Sequence, residues 1–111
     1  MTDIQTAARV VAERVMGWGT RGDWLIPLEP HPAAVVDTGG FIVAPEYFQT
    51  GNGMLELMEA LRALGWVFSI GANDAELWNG PYHDPKTIHI NTDADTAPDA
   101  LILAAAQLEV G

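Results

Sequence analysis

The chain contains no cysteine, which removes disulfides, cysteine-bound zinc and thiol nucleophiles from consideration. It has a single serine, Ser69, and neither that residue nor Thr20 or Thr50 has a histidine or lysine at a recognisable catalytic spacing. Basic residues are scarce: 5 lysines and arginines stand against 15 aspartates and glutamates, for a formal net charge of -10. A field of that sign repels nucleic-acid phosphates and anionic lipid headgroups, so neither is expected as a partner. The acidic residues run from Asp3 to Glu109 without forming a tail, as on a solubilising surface. Long apolar runs are also missing; none approaches the roughly 20 residues that span a bilayer, and the first residues lack the basic-then-apolar order of a secretory signal. The expected location is the cytoplasm.

What is present suits a self-sufficient core. With 111 residues, 49% of them apolar and 18% charged, the chain is expected to form one α+β domain over residues 1–111. Ile4, Ala8, Val11 and Val15 follow helical spacing over Thr2 to Met16, with Thr2 and Gln5 as a capping box and Gly17 as the stop. Gly17, Gly19 and Gly22 then read as a loop. Prolines at 27, 30, 32 and 45 interrupt residues 24–53, where Ala33–Val36 and Phe41–Val43 read as short edge strands around the turn "DTGG".

The remaining segments are more regular. Met54, Leu57, Met58, Leu61 and Leu64 form one helical face closed by Gly65. "WVFSI" and "AELWN" read as a hairpin, with Ile70 opposite Leu77 and Ser69 opposite Trp78 if Asn73 and Asp74 make the turn. That register puts large apolar groups on both faces and calls for helix cover on both sides. Thr87–Asn91 alternates as a strand with Ile88 and Ile90 on its dry face. Thr96 caps a last helix, with Pro98 in its first turn and Leu101, Ala104, Ala105 and Leu108 as its apolar set. The expected architecture is α+β, an antiparallel sheet sandwiched between helices in three layers, in the order α-β-β-α-β-β-β-α.

Three motifs carry a family resemblance: "RVMGW" at residues 14–18, "LMEALRALGWVFSI" at 57–70 and "DTAPDALILAAA" at 95–106. Together with the element order they resemble the phage ABA-sandwich family of small phage and prophage proteins. The resemblance implies a sheet sandwiched between helices and an origin in a phage or prophage. It implies no activity, because none of the motifs is catalytic.

Candidate sites are few. His83, Asp84 and His89 offer three metal-ligand types, but their spacing matches no metal signature, and histidines in a turn and on the polar face of a strand explain them as well. Asp93, Asp95 and Asp99 crowd one loop; Pro98 stands where a calcium loop needs glycine, and the carboxylates suit the positive end of the last helix. "TGNGML" has neither the third glycine of a dinucleotide fingerprint nor a P-loop lysine, so it reads as a helix entry with Asn52 as cap. No cofactor is expected.

Four tryptophans, Trp18, Trp24, Trp66 and Trp78, remain. Tryptophan is enriched both in small cores and at interface hot spots. Trp18 follows a helix stop and is expected to pack back onto the sheet. Trp24, between charged neighbours including Arg21, is the candidate for contact with a partner, and Trp78 is the second. The leading expectation is a non-enzymatic phage accessory protein that binds a host or phage protein and is able to form a homo-oligomer. Two other readings are a small-molecule binder, with Trp24 or Trp78 stacking on a nucleotide-like ring and Arg21, Arg62 or Lys86 pairing its phosphate, and a metal-dependent enzyme using His83, Asp84 and His89.

Overall fold

The computed structural model describes residues 4–22, 24–28, 30–37, 40–79 and 87–108. Helix α1, Ile4–Arg14, buries Ala7, Ala8, Val11 and Ala12, the stripe its spacing predicts. Thr2 of the expected capping box lies outside the described residues. The stop falls at Gly17, whose φ of 73° is the left-handed conformation that glycine adopts without a Cβ penalty. Just beyond it the Trp18 N–H donates to the Ala12 carbonyl at 2.7 Å, turning the chain back against α1.

The glycine-rich stretch that reads as a loop is a hairpin. Strands β1, Gly19–Arg21, and β2, Trp24–Ile26, pair with Arg21 opposite Trp24, across a turn that Gly22 opens with φ of 62°. A second hairpin joins β3, Val35–Asp37, to β4, Gly40–Ile42, with Val36 opposite Phe41. The two hairpins meet through a bridge in which Leu25 and Val43 exchange backbone hydrogen bonds of 2.9 and 2.7 Å. The observed order therefore has four strands before α2 where the sequence suggests two.

A 3-10 turn at Pro45–Gln49 leads into α2, Gly51–Ala63. Its cap is Thr50, whose Oγ1 accepts from the Gly53 N–H at 3.0 Å, and not Asn52. Gly53 is buried under the 3-10 turn, where a Cβ would run into the Tyr47 carbonyl. The glycines of "TGNGML" thus serve close backbone packing. At the other end, Gly65 with φ of 91° completes a Schellman closure in which Gly65 donates to Arg62 at 2.9 Å and Trp66 to Leu61 at 3.0 Å. Leu57 and Leu61 are buried as expected, whereas Leu64 falls past the core and stands exposed.

Strands β5, Val67–Ile70, β6, Asp74–Asn79, and β7, Ile88–Asp93, form a three-stranded antiparallel sheet with β6 in the centre. Ile70 pairs with Ala75 and Phe68 with Leu77, a register two residues away from the expected one. Gly71, Ala72 and Asn73 take the turn, closed by Gly71 N–H on the Asp74 carbonyl at 2.9 Å and pinned by Asn73 Nδ2 on the Asp95 carbonyl at 2.7 Å. A shift of two leaves every side chain on its predicted face. Ala75 and Leu77 are buried, with Phe68, Ile70 and Ile90 beside them. The other face mixes Val67 and Trp78 with Ser69, Glu76, His89 and Asn91, polar enough to meet water. Ile88 is exposed, so the dry face of β7 reaches only as far as Ile90.

Helix α3, Ala97–Ala105, is capped by Thr96, which accepts from the Asp99 N–H at 3.3 Å. It buries Ala100, Leu101, Ile102, Ala104 and Ala105, so it is apolar almost all round. This helix packs on β6 and β7 on one side and on α1 on the other, and α1 carries the β1–β2 hairpin in turn. Thr92 Oγ1 on β7 ties to the Ala100 carbonyl at 2.6 Å. The fold is α+β, a sandwich of helices and antiparallel sheets.

Candidate functional site

Trp18 and Trp24, six residues apart in sequence, have opposite fates. Trp18 is in the core, where its ring stacks on Phe48 at 5.6 Å and meets His31 edge-on at 5.4 Å. The 3-10 turn carrying Phe48 packs against both α1 and α2. Trp24, on β2, has 41% of its surface exposed.

Trp24 is not alone. Within Trp24–Phe41 the side chains of Leu28, Val35, Val36 and Phe41 are also largely exposed, with Leu28 at 73% and Val36 at 78%. Val36 and Phe41 are direct cross-strand neighbours. Val35, next to Val36 in the strand, points to the opposite face, so the exposed apolar residues are divided between the two faces of the hairpin. The first hairpin is tied to α1, with Thr20 Oγ1 donating to Glu13 at 2.6 Å and Arg9 Nη1 to the Gly22 carbonyl at 3.1 Å, and the second joins it through the buried Leu25 and Val43. Of these five exposed residues, only Trp24 stands out in the sequence, because strands of three residues have no period to show which side chain faces outward.

A groove of about 270 Å³ opens beside Leu28, walled by Met16, Trp18, Pro27 and Pro30. His31 and Glu56 close its polar end. His31 Nε2 lies 2.7 Å from Glu56 Oε1 and 3.1 Å from Oε2, while Nδ1 accepts the Ala33 N–H at 3.0 Å. An Nδ1 that accepts carries no proton, so this arrangement describes a neutral imidazole donating through Nε2 to the carboxylate. Tyr47 OH also donates to Glu56 Oε1, at 3.3 Å. Burial first, and the Glu56 charge second, push the Tyr47 phenol up to about 12. With both ring nitrogens engaged, His31 positions Glu56 and is not free to act as a base. Glu56 and His31 are 25 residues apart and follow no motif, so sequence reading passes over the pair.

Trp78, on β6, stacks on His89 with centroids 6.3 Å apart, and His89 Nδ1 is 3.4 Å from Glu76 Oε1. His83, Asp84 and Lys86 fall outside the described residues; among the described residues no group of three histidines or carboxylates is arranged to hold a metal. Arg62, on α2, lies over the Phe68 ring at 5.1 Å. On the first hairpin Arg21 is the cross-strand partner of Trp24. No described helix is long and apolar enough to cross a membrane.

Comparison with known proteins places the architecture. No family model matches the chain, and no curated protein matches it in sequence. Its fold is similar to that of a phage protein from Bacillus cereus ATCC 14579, seen in a 2.0 Å crystal structure, with a TM-score of 0.53 over 100% of this chain and 94% of that one. Identity between the two is 15%, so the likeness is one of fold.

Proposed function

We propose that this chain is a phage or prophage accessory protein of the ABA-sandwich kind, which acts without catalysis by binding a host or phage protein in the cytoplasm. The observation that carries the reading is the exposure of Trp24, Val35, Val36 and Phe41 on two adjoining hairpins and of Leu28 on the segment between them. Interfaces of this kind draw their affinity from a few aromatic and apolar anchors surrounded by polar groups. The likeness in fold to a phage protein supports the source, and the motifs at residues 14–18, 57–70 and 95–106 support the family. These hairpins are where a homo-oligomer would form, although two copies would each bring a charge of -10 to the contact.

Affinity capture from lysogenic or infected host cells, with the wild-type chain beside Trp24→Ala, tests the reading. A prey recovered by the wild type and lost with the variant is expected, with unchanged circular dichroism. Capture of nothing above background by either would overturn it.

A further inference from the structure

The groove beside Leu28 has a composition unlike the exposed surface of the hairpins. Its walls are apolar and aromatic, from Met16, Trp18, Pro27 and Pro30, and its end is a carboxylate. At about 270 Å³ it is smaller than the roughly 300–1,000 Å³ of pockets that enclose drug-sized ligands, and it suits one long side chain.

Glu56 is prepared for a cation. Its partners among the described residues are the neutral imidazole of His31 and the hydroxyl of Tyr47, so its charge is oriented by two donors and cancelled by neither. The side chain of His31 is 9% exposed and that of Glu56 29%, so the positioning group is buried and the carboxylate is open to the groove. Oε1 already accepts from both donors, while Oε2 receives the longer His31 contact alone. An end-on ion pair at Oε2 is therefore favoured over a bidentate one. That geometry suits the compact ammonium of lysine better than the planar fork of arginine. The apolar walls match a lysine's four-carbon stem. A net charge of -10 steers basic segments toward the surface as a whole.

We propose that this groove is a recognition pocket for a single lysine side chain of a protein partner, with Glu56 as its counter-ion and His31 and Tyr47 as positioning residues. The proposal rests on the protein-binding reading above and gives that partner a chemistry: a basic residue flanked by apolar ones that cover Leu28 and its neighbours.

Titration of the isotope-labelled full chain with N-acetyl-lysine methylamide, followed by NMR, tests it. Saturable shifts are expected at the Trp18 indole N–H and at the amides of Met16, Leu28 and His31, with half-saturation in the millimolar range. Binding should weaken at least tenfold for the norleucine analogue, which keeps the stem and loses the charge, and more modestly for the arginine analogue. Glu56→Gln retains an acceptor for His31 and Tyr47 and should abolish the lysine response. The norleucine arm uses only the wild-type chain, so the test does not depend on how that variant folds.

Equal responses to lysine and norleucine, shifts confined to another surface, or no shifts would each overturn the proposal. Putrescine binding more tightly than the lysine probe would assign the groove to free polyamines and overturn the partner-side-chain version. Affinity capture with Glu56→Gln separates this proposal from its parent. Prey held equally by wild type and variant overturns the lysine pocket and leaves the protein-binding reading intact, whereas a positive titration with no prey captured does the reverse.

Discussion

Two tryptophans from one short stretch stand in opposite surroundings, Trp18 in the core and Trp24 at the surface. Trp18 fills the space between Phe48 and His31, so Trp18→Ala should cost about 3–5 kcal/mol, read from the urea midpoint. Trp24→Ala should shift the same midpoint by well under half as much, because a large part of its ring is already in water. Equal costs would mean that Trp24 is as much a core residue as Trp18. Tyr47 supplies a second signal at this scale. Its phenol, raised from 10.0 to about 12, binds a proton in the folded state that the unfolded chain has lost. The corresponding stabilisation is complete below pH 10 and disappears as pH rises through 12. Ultraviolet titration should show a phenolate forming near pH 12 that is absent in Tyr47→Phe. In Glu56→Gln it should form at lower pH, yet above 10, because burial remains after the charge has gone.

Short and regular pieces of the chain differ in how far their sequence predicts their structure. Helices α2 and α3 were legible because an apolar period of several turns coincides with a capping residue at one end. Even there Thr50, and not Asn52, caps α2, since the 3-10 turn before it sets where the helix starts. The β1–β2 hairpin was illegible, whereas the β3–β4 hairpin could be read from the turn "DTGG" between two short apolar runs. In the former each strand has three residues, too few for alternation to show, and glycine fits a turn as readily as a loop. The β5–β6 hairpin lay between these cases: its faces followed from alternation, while its register waited on which residues the turn consumes.

Gly53 provides the sharpest test at the scale of elements. Gly53→Ala brings a methyl group into the Tyr47 backbone and should destabilise by roughly 1–3 kcal/mol, whereas Gly51→Ala meets nothing within 4 Å and should be neutral or slightly stabilising. Thermal melts of the two variants would distinguish close packing from a flexible, glycine-rich entry. Similar behaviour in both would contradict the role assigned to Gly53.

At the scale of the whole molecule, the candidate site was only partly visible in the sequence. Trp24 could be named because an indole beside charged loop residues is conspicuous. Leu28, Val35, Val36 and Phe41 could not, since their exposure is decided by how one hairpin leans on the other through Leu25 and Val43. Glu56, Tyr47 and His31 converge only because α2, the 3-10 turn and the segment after β2 fold together. The charge of -10 acts over the entire surface, so partner capture should weaken as ionic strength rises, mainly through slower association. Apolar anchors should leave a residue of binding in high salt.

The most direct measurement compares faces. Affinity capture from lysogenic or infected cells would use the wild-type chain, a Val36→Ser, Phe41→Ser double variant on the hairpin face, and Val67→Ser on the open face of the three-stranded sheet, all verified as folded. Prey retained by Val67→Ser and lost with the double variant is the predicted result. Loss with Val67→Ser alone, or equal recovery by all three, would contradict the assignment of partner binding to the hairpins.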